Sequence, residues 1–217
     1  MLLKYAKYMV IDSITNPLES NGNISRRTWF NPQCCPTNIV RFIPETGGAI
    51  YEVKDNHIYV NQFIGSKVTI ALDDNEIKLV KKTDYPWNGL ITLEIEPGKP
   101  VDLILHIRVP CWTRGELIPG GFYYYIDDEK LPDRKVILKV NGRKIHKLNL
   151  ERGYAVIKRK WKQGDVVEME LPLNIRLVAG NPKIEDTRGK AVLMRGPMVY
   201  CLEEADNARY FVDNRNS

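Results

Sequence analysis

Long apolar runs are missing from this chain. No stretch approaches the roughly 20 residues that a membrane-spanning helix needs, so no membrane partner is expected. Cysteine is scarce: four in 217 residues are too few for a disulfide framework. A reducing compartment is the simpler assumption, and a cytoplasmic location is the expectation. Adjacent Cys34 and Cys35 are then free thiols or metal ligands. The first residues, Met1 to Ile11, contain Lys4 and Lys7 and no small-residue cleavage site, which makes a poor signal peptide. Charge of one sign is lacking too. The chain has 32 Lys and Arg against 27 Asp and Glu, a modest net charge of +5. The densest basic run is Lys158-Arg159-Lys160, followed by Trp161. Such a run could contact phosphate, but a solvated strand face is the plainer reading. No nucleic-acid motif accompanies it, and no nucleic-acid partner is expected. No repeat of fixed period is present.

What is there belongs to a folded protein. Hydrophobic residues make up 43% of the chain, which argues against disorder. Residues 1–20 have no clear start signal, although Asn16-Pro17 and Asn21-Gly22 mark turns. A polar and aromatic stretch, Arg26 to Gln33, leads into the cysteine pair. The one convincing helix follows. Pro36 suits its first turn, Ile39, Val40, Phe42 and Ile43 are its apolar positions, and Pro44 with Gly47-Gly48 ends it. From Ala49 the period changes to two. Ala49 to Lys54, His57 to Ile64, Val68 to Leu72, Glu76 to Lys82, Leu90 to Ile95 and Val101 to Val109 read as strands. A loop at Pro110 to Gly121 separates them from a second set, which begins at Val136 and closes with Met198 to Leu202. Turns fall at Asp55-Asn56, Asp73-Asp74-Asn75, Asn141-Gly142 and Gly164-Asp165. This spacing argues for antiparallel sandwiches.

The cysteine pair is the unusual chemical object. Along a strand the two side chains diverge, but at a helix start both sulfurs can face one ion. A helix N-terminus lowers a thiol pKa, and thiolate is the form that binds metal or attacks carbon. Two thiolates are half of a zinc shell. No Cys-x-x-Cys or close His-x-x-His completes it, and His57, His106 and His146 are well separated in the sequence. Against this stands a plain alternative, two small buried packing residues. Cys111 and Cys201, in apolar surroundings, also read as packing. Trp87, Trp112 and Trp161 are either core and loop anchors or platforms for a sugar ring. Arg195 suggests a carboxylate partner that the sequence does not identify.

Several motifs together carry a family resemblance. They are Asn16-Pro17-Leu18-Glu19-Ser20, Trp29-Phe30, Cys34-Cys35-Pro36-Thr37-Asn38, Tyr59-Val60-Asn61 and Tyr85-Pro86-Trp87-Asn88-Gly89. Arg108-Val109-Pro110-Cys111-Trp112, Gly153-Tyr154-Ala155, Trp161-Lys162-Gln163-Gly164-Asp165 and Arg195-Gly196-Pro197-Met198-Val199-Tyr200-Cys201 continue the series, in order. The chain resembles the C-terminal portion of glycoside hydrolase family 127, the β-L-arabinofuranosidase family. The resemblance implies a helical (α/α) barrel followed by β-sandwich domains, and release of terminal L-arabinofuranose with retention. It also implies that a zinc-bound cysteine is the nucleophile where most retaining enzymes use a carboxylate. By position Cys34 matches that nucleophile and Cys35 the adjacent zinc ligand. The family's other zinc ligands, a glutamate and a cysteine, and its acid/base glutamate come from further upstream. Glu19 and Glu45 match none of these motifs.

The fold expected is mainly β: one short helix, the end of an otherwise missing α/α barrel, then two antiparallel β-sandwich domains. The divisions expected are a barrel remnant at 1–48, a first sandwich block at 49–112 and a second at 113–217. The function expected is that of the C-terminal portion of a retaining glycoside hydrolase, with zinc bound only if the missing ligands are supplied. Its partners would be L-arabinofuranose-containing glycans and an upstream barrel polypeptide. Alone, the chain is expected to be inactive. The alternative is a non-catalytic β-sandwich module that binds carbohydrate or braces a partner.

Overall fold

The computed structural model describes residues 34–118, 120–126 and 135–200, with side chains described from Thr37 onward. The sequence readings for residues 1–33 and for Cys201 and Leu202 lie outside the described residues. The chain divides into two units, residues 1–50 and 51–217.

In the first unit, helix α1 (Cys34–Glu45) starts on the cysteine pair, two residues earlier than Pro36 suggested. Pro44 lies in its last turn. A 3-10 turn, Thr46–Ala49, ends the helical stretch, and the Thr46 hydroxyl donates to the carbonyl of Ile43 at 2.6 Å. Val40 and Phe42, two of the apolar helix positions, are 65% and 66% exposed.

The second unit is built of strands. In chain order they are β1 (Tyr51–Lys54), β2 (His57–Val60), β3 (Ser66–Leu72), β4 (Asn75–Thr83), β5 (Leu90–Pro97) and β6 (Val101–Arg108). Then come β7 (Tyr123–Tyr125), β8 (Ile137–Val140), β9 (Arg143–Lys144), β10 (Leu150–Glu151), β11 (Tyr154–Trp161) and β12 (Asp165–Glu170). Last are β13 (Ile175–Gly180), β14 (Ala191–Arg195) and β15 (Met198–Tyr200). The expected turns are where the chain reverses: Asp55, Asp73 and Asn141 take positive φ of 52°, 51° and 51°.

Sheet pairing departs from the division read near residue 112. One sheet has the order β1-β2-β6-β11-β10, and the sheet facing it β3-β4-β5-β12-β8-β9. Strands on both sides of the Pro110–Gly121 loop therefore build the same sandwich. β11 runs antiparallel to β6 over its whole length, and β12 lies between β5 and β8. The remaining strands form a third sheet, β15-β14-β13-β7. Period two identifies a strand but not its hydrogen-bond partner, so sequence order suggested two consecutive blocks where the sheets interleave. Among the described residues the pairing is antiparallel except between β2 and β6, which run parallel. A parallel pair needs a crossover, and here β3, β4 and β5 of the facing sheet provide it.

The two facing sheets share one core. Ile58, Val60, Leu103, Leu105, Ile107 and Ile157 enter it from the first, and Ile77, Leu79, Ile95, Leu138, Val167 and Met169 from the second. Trp161 is fully buried, and its indole N–H donates to the Leu103 carbonyl at 3.2 Å. It is a core anchor, not a sugar platform. Lys81 is buried too. Its ammonium donates to the Gln62 carbonyl at 2.5 Å and lies over the Tyr51 ring, and burial pushes its pKa down to about 8.

Asp165 ties the β8–β9 turn to the β11–β12 turn. It accepts from the Asn141 side chain at 2.7 Å and from the Lys162 amide at 2.9 Å, with Arg159 at 3.4 Å. Burial would raise its pKa, but these hydrogen bonds and the charges of Arg159 and Lys162 outweigh that and hold it below the usual carboxylate value. Replacing Asp165 with alanine strands the Asn141 and Lys162 donors at a buried position. The expected cost is about 1–3 kcal/mol in urea unfolding at neutral pH. An unchanged midpoint would show that the two turns hold without it.

Candidate functional site

Cys34 and Cys35 occupy the first turn of α1. The N-terminal amides of a helix have no carbonyl partner within it, and the helix dipole is positive at that end, so a thiolate is favoured there. Among the described residues no group of three or more His, Cys, Asp or Glu could hold a metal ion.

The β unit carries two clusters of its own. The first lies on the outer face of the first sheet. Ile58, Val60, Leu105 and Ile107 point into the core, so alternation turns His57, Tyr59 and His106 outward. Parallel pairing sets Tyr59 directly opposite His106 and brings His57 alongside. The His57 Nδ1 and His106 Nε2 are 2.8 Å apart, one ring donating and the other accepting. Tyr59 stacks on His106 with centroids 4.2 Å apart, and Tyr154 meets Tyr59 edge-on at 5.5 Å. The Tyr154 hydroxyl donates to the Asn61 side chain at 2.8 Å. The sequence, with the histidines 49 residues apart, concealed this pair. Two motifs of the family resemblance, Tyr59-Val60-Asn61 and Gly153-Tyr154-Ala155, meet here.

His106 is 6% exposed. Burial first and the neighbouring His57 second push its imidazole below the ordinary value of 6.5, with Glu151 acting the other way. A base with a depressed pKa binds fewer protons folded than unfolded. The stability it contributes is therefore complete above the ordinary imidazole value and is lost as pH falls through the folded value. Thermal midpoints should drop more steeply between about pH 7.5 and about pH 5 for the unmutated chain than for His106→Asn. Parallel curves would place the sensitivity elsewhere.

The second cluster lies where the sandwich meets the third sheet. In the β4–β5 turn the amides of Trp87 and Asn88 donate to the Asp84 carbonyl at 2.8 and 3.1 Å. Gly89 fastens that turn to the end of β12. Its carbonyl accepts from the Leu171 amide at 2.9 Å, and a Cβ at Gly89 would lie 2.1 Å from the Leu171 carbonyl oxygen. Trp112, in the 3-10 turn Cys111–Arg114, is partly buried and, like Tyr85, packs against the core. Gly196, in the β14–β15 turn, packs where a Cβ would meet Leu173 at 2.4 Å and Trp112 at 3.4 Å. Arg195 donates to the Trp87 carbonyl at 3.2 Å, so its described partner is a backbone oxygen and not the carboxylate suggested by the sequence. Cys111 is exposed, with its thiol donating to the Leu117 carbonyl at 3.3 Å, and the packing role read for it does not hold.

These features define a two-sheet β-sandwich with an appended sheet, preceded by a helix that starts on two cysteines. The comparisons divide the chain between β12 and β13, although β7 of the third sheet falls within the first match. The model of the glycoside hydrolase family 127 middle domain, described as beta-L-arabinofuranosidase, matches residues 57–173, and that of the family's C-terminal domain matches 175–216. The chain belongs to glycoside hydrolase family 127. It is 27% identical over 203 residues to the non-reducing end beta-L-arabinofuranosidase of Bifidobacterium longum subsp. longum, matching 90% of this chain and 27% of that protein. A solved family 127 beta-arabinofuranosidase superposes with a TM-score of 0.75 at 41% identity, over 84% of this chain and 28% of the other. The family 127 beta-L-arabinofuranosidase of Geobacillus stearothermophilus T6 gives a TM-score of 0.69 at 32% identity, over 84% and 26%. The chain thus spans about a quarter of the length of these relatives.

Proposed function

We propose that this chain is the C-terminal portion of a retaining hydrolase that releases terminal β-L-arabinofuranose from glycans. Cys34 is its nucleophile, and Cys34 and Cys35 are zinc ligands. The observation that carries the reading is the pair's position at the start of α1 in a chain of this family. Two sulfurs suit zinc and supply half of a four-ligand shell. The other ligands and the acid/base come from an upstream barrel polypeptide. Zinc, when bound, keeps the thiol deprotonated and fixes its direction.

The chemistry assigned to this chain is attack by the Cys34 sulfur on the anomeric carbon. The bond to the leaving oxygen breaks as that oxygen takes a proton from the upstream acid. A water, giving a proton back to that upstream group, then displaces the sulfur from the same carbon and releases it as thiolate. Two inversions restore the starting configuration. A reducing location belongs to this reading, because the sulfur must be a free thiolate.

Combining the chain with the upstream barrel should yield turnover of an aryl β-L-arabinofuranoside. Cys34→Ser should lower it by about 10³-fold or more, and Cys35→Ser should lower zinc content measured by atomic absorption. The isolated chain should bind little zinc and show no turnover. One equivalent of zinc with turnover by the isolated chain would refute the dependence on upstream residues.

A second reading, a non-catalytic module that binds carbohydrate or braces a partner, draws on the complete core of the sandwich. It gains if no upstream barrel restores activity.

A further inference from the structure

The junction of the sandwich with the third sheet encloses an open groove of about 1590 Å³. Trp87, Trp112, His146, Glu170, Asn174 and Arg195 are among the residues that line it. Three motifs of the family resemblance converge on it, those containing Trp87, Trp112 and Arg195. The proposed chemistry at Cys34 uses none of them.

We propose that this groove is a glycan-binding site that holds an arabinofuranose-bearing oligosaccharide chain by stacking a sugar ring on Trp87. Trp87 as a residue is 47% exposed and lines the groove, and an aromatic side chain on a fixed turn can contact the apolar face of a sugar. The turn that carries it is held at its base by Asp84, at its end by Leu171, and through its carbonyl by Arg195. A platform held at three points loses little freedom when a ligand binds.

The same groove is lined by residues whose side chains can hydrogen-bond hydroxyls as donors or acceptors: Asn174, His146, Glu170 and Arg195. An aromatic face with a few convergent polar groups is the arrangement of a small-molecule site. Size favours a chain over a single sugar, because sites for drug-sized ligands run about 300–1,000 Å³ and this groove exceeds them. The arabinofuranose class rests on the proposed function; the groove rests on geometry alone.

The test is calorimetric titration of the whole 217-residue chain with a linear arabino-oligosaccharide, and with a cello-oligosaccharide of equal length as control. The unmutated chain should bind the first and prefer it. Trp87→Ala should weaken binding about tenfold or more, and Trp87→Phe should retain most of it. Chemical-shift mapping on the unmutated chain gives a second measure that needs no variant. The Trp87 indole N–H and the amides of Gly115 and Gly196 should move. No binding, preference for the cello-oligosaccharide, equal binding by Trp87→Ala, or shifts confined to other faces would each overturn the proposal. The two readings also separate. A chain that binds the arabino-oligosaccharide but gains no hydrolysis with the upstream barrel keeps the groove and loses the catalytic reading. A chain active after pairing, with no binding in the groove, does the reverse.

Discussion

Parallel pairing of β2 with β6 is the contact on which the rest of the β unit depends. β6 is the middle strand of its sheet, held by β2 on one side and β11 on the other. To lie parallel to β2, the chain must first leave the sheet, and it does so by building β3, β4 and β5 opposite. That excursion creates the second layer of the sandwich, and so the space that Leu103, Leu105 and Ile107 fill. The same register has an outer consequence. Where β2 and β6 place isoleucine and leucine inward, they place Tyr59 and His106 side by side outward. One pairing thus determines both the core and the polar aromatic cluster behind it.

The junction with the third sheet depends on a different constraint, close approach of backbones at glycine. Gly89 touches the Leu171 carbonyl, and Gly196 lies against Leu173 and Trp112. Gly89 has no room for a side chain against that backbone, and one at Gly196 would displace the end of the Leu173 side chain. Removing the Cβ at these two points lets a sandwich turn and a hairpin turn meet around Leu171 and Leu173, and the meeting holds the backbone that presents Trp87. The cysteine pair is a separate construction, set by the start of a helix in the other unit. The chain therefore carries a candidate for chemistry and a candidate for recognition built on unrelated principles.

Much of this was legible in the residues themselves. The helix stretch, most of the strands and the reversals at Asp55, Asp73 and Asn141 follow from local period and turn chemistry, and the cysteine pair at a helix start could be read directly. Short pieces escaped. β7 is three residues of a tyrosine run, and β9 and β10 are two residues each, too brief for any period. Trp87, Trp112 and Trp161 looked alike as candidate sugar platforms. Only Trp87 is strongly exposed; Trp161 is fully buried, and Trp112 is packed against the core.

By itself, then, the sequence determined which segments are strands, where they reverse, and which stretch forms the helix. Each of these depends on residues a few positions apart. Tertiary structure alone decided that strands after residue 112 complete sheets begun before it, that histidines far apart in sequence share a hydrogen bond, and that three distant motifs line one groove. The physical reason is the same in each case. A strand's alternation records which of its faces is apolar, but its edge hydrogen bonds are the same backbone groups in every strand, so the choice of neighbour is made only when whole sheets pack.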